Sequence, residues 1–197
     1  MSQTEIYGFD QSGNAYFKAG IKNSWRGGMA IWAFLEERYL PPYIPDYVKA
    51  TNWYYDGISF DEVVEKLGYT PTRVTSPFGK DNPLQAIWDL ADSAELSLNE
   101  KIVLYTTFDS VLVKKEDLTR VIEAFNKFEG VTSLKEQAIV LVEMLKDENC
   151  IAVGWNQTSV NADNWCNFIY DAESEDYLPY NCLTQDEHFW LFDELEV

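Results

Sequence analysis

The hydrophobic period of this chain changes twice along its length, and those changes restrict the folds open to it. Residues 5–9 and 14–21 are rich in Ile, Tyr and Phe and flank Asp10-Gln11-Ser12-Gly13, a polar turn with glycine near its end. That pattern predicts a β-hairpin. Helical spacing then takes over: Trp25, Met29, Trp32, Leu35 and Tyr39 share one face, Ser24 starts it and Pro41-Pro42 stops it. Ser59 with Glu62, Ser97 with Glu100, and Ser133 with Glu136 are capping-box pairs, each ahead of an apolar periodic run. Asn82-Pro83 opens another helix, and Glu116-Asp117 precedes a stripe of Leu118, Val121, Ile122 and Phe125.

Past Cys150 the period returns to two. Ile151–Trp155, Cys166–Tyr170 and Phe189–Phe192 read as strands, as does the short apolar run Val111–Val113. Strands at both ends with helices between them predict an α+β fold, an antiparallel sheet of the N-terminal hairpin plus the C-terminal strands, packed with about five helices. A single domain over residues 1–197 is expected, because 197 residues with 46% apolar composition fill one core. The Pro- and Gly-bearing stretch 69–81 is the one place for a lobe boundary.

Charge is distributed unevenly over this pattern. The last 51 residues hold twelve of the 33 carboxylates and not one Lys or Arg, so this quarter of the chain carries −12 of the formal −18. Rings are interleaved with the acids: Trp155, Trp165, Phe168, Tyr170, Tyr177, Tyr180, Phe189, Trp190 and Phe192. Disordered acidic tails are poor in aromatics, so this segment is expected to fold and to present its charge from a fixed surface. A negative field of that size disfavours phosphates and anionic membranes as direct ligands and favours cationic partners.

The N-terminal residues lack a basic stretch followed by an apolar run, and no eighteen consecutive residues are apolar, so a cytoplasmic chain is expected. Three cysteines, an odd number, fit a reducing compartment.

Few residues carry catalytic chemistry. His188 is the single histidine, so any histidine-dependent acid–base or triad mechanism would depend on it. Cys150, Cys166 and Cys182 lie sixteen apart and lack the close pairs from which structural zinc sites are built. The run from Asp171 to Asp176 imitates the opening of a calcium loop, but Asp176 stands where the loop needs glycine and Cys182 where it needs glutamate. No phosphate-binding glycine loop or nucleophile elbow is present. No catalytic residue, metal or cofactor is therefore expected, and an enzyme is the less favoured class.

Three functions fit the pattern. The first is a protein-binding module whose acidic, aromatic C-terminal face docks a basic protein, with Trp165, Asp171, Glu173, Glu175, Asp176, Tyr177 and Tyr180 as partner-binding residues. In size and charge alone the chain resembles immunity proteins, which implies an antitoxin-type inhibitor and a basic nuclease toxin as the partner. The second is an enzyme, or a carbohydrate- or nucleotide-binding protein, with Trp155 and Trp165 flanking a sugar or base. The third is a DNA mimic, whose spaced carboxylates imitate phosphates.

Overall fold

The structure, a computed structural model, describes residues 3–22, 29–39, 56–67, 90–108, 111–158, 165–184 and 188–195. The sequence-predicted lobe boundary at 69–81 and helix start at Asn82-Pro83 lie outside the described residues. The chain divides into two compact units, one formed by Met1–Ile31 with Leu98–Val197 and the other by Trp32–Ser97.

The first unit is built on a five-stranded sheet, as the α+β expectation requires. Its strands are β1 (Gln3–Phe9), β2 (Ala15–Lys22), β3 (Val111–Lys114), β4 (Ala152–Gln157) and a two-residue strand, Phe189–Trp190, in the order β2-β1-β4-β3 and then Phe189–Trp190. All neighbours are antiparallel except the last pair, where Val111 and Leu112 run parallel to Phe189 and Trp190. The polar turn between β1 and β2 is closed by Asp10, whose Oδ1 accepts from the backbone of Ser12 and Asn14. The Asn14 side-chain amide, which donates to Asp10 Oδ2 at 3.0 Å, and then the Asn14 backbone N–H hold the Asp10 carboxyl below the usual carboxylate range.

Alternation along the strands sends Ile6, Gly8, Val153, Trp155, Val111, Val113 and Phe189 to one face of the sheet. Helices α3 (Leu98–Tyr105), α4 (Leu118–Lys127, entered through a 3-10 turn) and α5 (Ser133–Lys146) cover that face. The α4 stripe of Leu118, Val121, Ala124 and Phe125 is buried, and Phe125 meets Trp155 edge-on at 6.4 Å between ring centroids. Trp155, 1% exposed, donates its indole N–H to Gln137 Oε1 on α5 at 3.2 Å. A Cβ on Gly8 would meet the ends of the Tyr16 and Met144 side chains, so glycine lets these two pack closely beneath α5. The Tyr16 hydroxyl donates to Asp147 Oδ2 just past the end of α5, at 3.0 Å.

The opposite face presents Tyr7, Phe9, Ala152, Gly154, Leu112 and Trp190. Phe9, Leu112 and Ala152 join Cys182 in a buried cluster, against which Tyr7, Trp165, Tyr180, Leu183 and Trp190 pack. Segment 165–184 therefore closes this side of the sheet. Within it β5 (Phe168–Asp171) and β6 (Asp176–Pro179) pair only with each other, as a separate antiparallel ribbon. This corrects two expectations. Cys166–Tyr170 does not join the main sheet, and Phe189–Phe192 is not a full strand, because helix α6 (Leu191–Leu195) begins after two residues.

Helix α1 (Met29–Tyr39) begins in the first unit and continues into the second. Among its described side chains Ile31, Trp32 and Leu35 are buried, at the spacing of one helical face. Helix α2 (Phe60–Leu67) in the second unit opens with a true capping box: Glu62 N–H donates to Ser59 Oγ at 3.4 Å, and Ser59 N–H to Glu62 Oε2 at 3.1 Å. Among the described residues no helix is long and apolar enough to cross a membrane.

Candidate interaction site: the acidic ribbon

The ribbon is clamped at its base and open at its tip. At the base, Asn167 imitates a strand neighbour: Ala15 N–H donates to its Oδ1 at 2.5 Å and its Nδ2 donates to Ala15 O at 2.9 Å. On the other leg Cys182 N–H donates to Gly13 O at 3.0 Å, and Asn181 packs where any side chain on Gly13 would stand. Gly13 itself adopts φ +79°, a conformation glycine takes at no steric cost. The legs are tied together by Tyr180 N–H to Asn167 O at 2.6 Å and by the Cys182 thiol, which donates to Cys166 O at 3.0 Å. Burial pushes the Cys182 thiol up, so it stays protonated and keeps that donor.

Beyond the clamp both faces of the ribbon meet solvent. Phe168, Ile169, Tyr170, Tyr177 and Leu178 are exposed, Tyr177 by 66% and Phe168 by 59%. Phe168, Tyr170 and Tyr177 share one face, where the two tyrosine rings meet edge-on at 5.4 Å. An open hollow of about 490 Å³ on this face is lined by Cys166, Asn167, Phe168 and Tyr177.

The turn that joins the strands is acidic and locally ordered. Asp171 accepts from the backbone N–H groups of Glu173 at 3.3 Å and Ser174 at 3.1 Å, and from the Ser174 hydroxyl at 2.6 Å. The Ser174 hydroxyl, followed by those backbone donors, holds the Asp171 carboxyl below its usual range. Glu175 has φ +56°, the left-handed region that costs a side-chain-bearing residue about 1–2 kcal/mol. Asp171 and Asp176 face each other across the ribbon, a like-charge pairing that weakens it.

Of the seven sequence-predicted partner-binding residues, the structure gathers Asp171, Glu173, Glu175, Asp176 and Tyr177 on the projecting part of the ribbon. Trp165 and Tyr180 are half-buried at its base. Trp165 stacks edge-on against Phe9 at 4.9 Å and lies 4.6 Å from the His188 ring. These two support the ribbon at its base. The other described C-terminal acids lie elsewhere: Asp147 takes the Tyr16 hydroxyl, and Asp193 pairs with Lys114 at 3.3 Å. Among the described residues, the acids gathered on the ribbon are those of its turn. Asp163, Asp186, Glu187 and Glu196 lie outside the described residues. Sequence reasoning missed Ile169 and Leu178, whose exposure follows from the second strand that the acidic run concealed.

Trp155 and Trp165 do not flank a common space. Trp155 points into the helices, whereas the Trp165 ring lies against Gly154 on the other face of the sheet. On the same face of the sheet as Tyr7, the Glu5 carboxylate accepts from Gln3 Nε2 at 2.8 Å, Asn156 Nδ2 at 3.0 Å and the Tyr7 hydroxyl at 3.1 Å. Burial and then Glu5 push the Tyr7 phenol up to about 12, so it remains a donor. A second hollow of about 620 Å³ borders Lys114, Lys115, Cys150, Leu183 and Trp190, where Lys115 Nζ donates to Asp147 O at 2.6 Å. Among the described residues no group of three or more His, Cys, Asp or Glu could hold a metal ion. Cys150, Cys166 and Cys182 are thiols, with no disulfide between them.

No protein-family model matches this chain, and no curated protein or solved structure matches it.

Proposed function

We propose that this chain is a cytoplasmic protein-binding module, an immunity- or antitoxin-type inhibitor that docks a basic protein through its acidic, aromatic ribbon. The observation that carries the reading is the pairing of a clamped base with an ordered acidic tip: Asn167 and Cys182 fasten the legs while Asp171, Glu173, Glu175 and Asp176 project together. Carboxylates held in place steer a cationic partner, and the neighbouring Phe168, Tyr170 and Tyr177 rings supply contact area at low entropic cost. The strain at Glu175 and the opposed Asp171 and Asp176 weaken the ribbon, and both are explained if charge at the tip is what the segment is for.

The test is association kinetics against a panel of purified basic nucleases at several salt concentrations, with Glu173→Lys/Glu175→Lys as the control. One cognate nuclease bound and inhibited, with the doubly reversed variant slower and its salt dependence flattened, supports the proposal. Kinetics unchanged by the reversal count against the ribbon. Binding to several unrelated DNA-binding proteins, each displaced by duplex DNA, would favour mimicry.

A further inference from the structure

The two margins of the ribbon are not equivalent. Tyr180 N–H bonds to Asn167 O, so the pairs Ile169–Leu178 and Asp171–Asp176 exchange backbone hydrogen bonds, while Phe168, Tyr170, Tyr177 and Pro179 turn their backbone groups outward. On the β6 margin both outward donors are removed. Pro179 has no N–H, and the Tyr177 N–H is taken by Asp176 Oδ1 at 2.8 Å. On the β5 margin the N–H groups of Phe168 and Tyr170 face outward, and among the described residues β5 pairs with β6 alone.

We infer that β5 is a docking edge, which receives an extended, basic segment of the partner as a third strand of the ribbon. The inference rests on the proposed binding role and names its mode. A strand laid along β5 bonds to Phe168 and Tyr170 and runs past the carboxylates of the turn, so alternate side chains on it should be Lys or Arg. Its apolar side chains meet the face that holds Phe168 and Tyr170 and the hollow beside them. A second copy of this chain would bring the same −18 charge to the same edge, which makes a cationic occupant the better fit.

The experiment uses the full chain and two synthetic peptides, an alternating lysine–valine octapeptide and its analogue with every backbone nitrogen methylated. Charge and side chains match; only the analogue has no backbone N–H to donate along either edge. The expected result is that the analogue binds about tenfold or more weakly, the loss of one or two backbone hydrogen bonds. The unmethylated peptide should also slow amide exchange at Phe168 and Tyr170. Tyr170→Pro, which deletes one outward N–H, should weaken binding more than Tyr170→Ala, which deletes only the ring. Equal affinity for both peptides, lost on Glu173→Lys/Glu175→Lys, would overturn strand addition while leaving the acidic docking role intact. Binding of neither peptide at low salt would overturn both. Protection of Phe168 and Tyr170 by protein concentration alone, with sedimentation showing dimers, would replace the basic segment with a second copy.

Discussion

The six-membered ring of Trp165 occupies the place where a side chain on Gly154 would stand: a Cβ there would lie 2.7 Å from Trp165 Cζ2 and 3.1 Å from Phe9 Cε2. Alanine normally improves on glycine in a strand, by about 0.5–1 kcal/mol. Here the collision is with rings fixed in a packed cluster, and Gly154→Ala is expected to destabilise by about 1–3 kcal/mol instead. Urea unfolding measures it, and a stabilised variant would show that Trp165 is not seated on the sheet.

The Trp155 indole and Gln137 are buried together. Gln137→Leu leaves that N–H without its acceptor in an apolar setting and should cost about 1–3 kcal/mol. Adding Trp155→Phe removes the stranded donor, so the double variant should be more stable than the two single losses summed. A double-mutant cycle from thermal or urea unfolding reads the coupling.

Asp147 titrates below its usual range chiefly because Tyr16 donates to it. Its contribution is therefore complete above the unfolded carboxylate value of about 3.9 and disappears as pH falls through the lowered folded value. In Tyr16→Phe the Asp147 resonance should titrate higher, toward the ordinary value. The stability gap between variant and wild type should be open at neutral pH and narrow in acid. Carbon-detected NMR titration and unfolding at both pH values test this, and a gap that widens in acid would reverse the argument.

Glu175 in the left-handed region marks the one described residue other than glycine with positive φ. Glu175→Gly relieves about 1–2 kcal/mol of backbone cost and gives back roughly half of it in unfolded-chain freedom. A gain of about 0.5 kcal/mol is expected, together with slower association with a basic partner. Unfolding and stopped-flow association should move in opposite directions.

Much of the fold could be read from local pattern. The β1–β2 hairpin, the α4 stripe and the Ser59–Glu62 box follow from residues within a few positions of one another, where turn chemistry and period decide the outcome. The Ser133–Glu136 pair shows the limit of such signals: α5 begins at Ser133 itself, Thr132 occupies the cap, and no side-chain cap bond forms. The ribbon was harder to see. Its identity depends on the Asn167–Ala15 bonds, which join residues 152 apart, and on Trp165 filling the space left by Gly154. Neither has a local signature. The acids were plain in the sequence, but their division between a projecting turn and partners such as Tyr16 and Lys114 is a tertiary outcome.

Pro179 and the Asp176–Tyr177 bond give the ribbon a finished side. Polymer growth by sheet extension requires each newcomer to offer a fresh margin for the next. Two copies of this chain that met along their open margins would both turn finished margins outward, so extension between copies stops at a pair and rings as exposed as Tyr177 and Phe168 do not template a fibril.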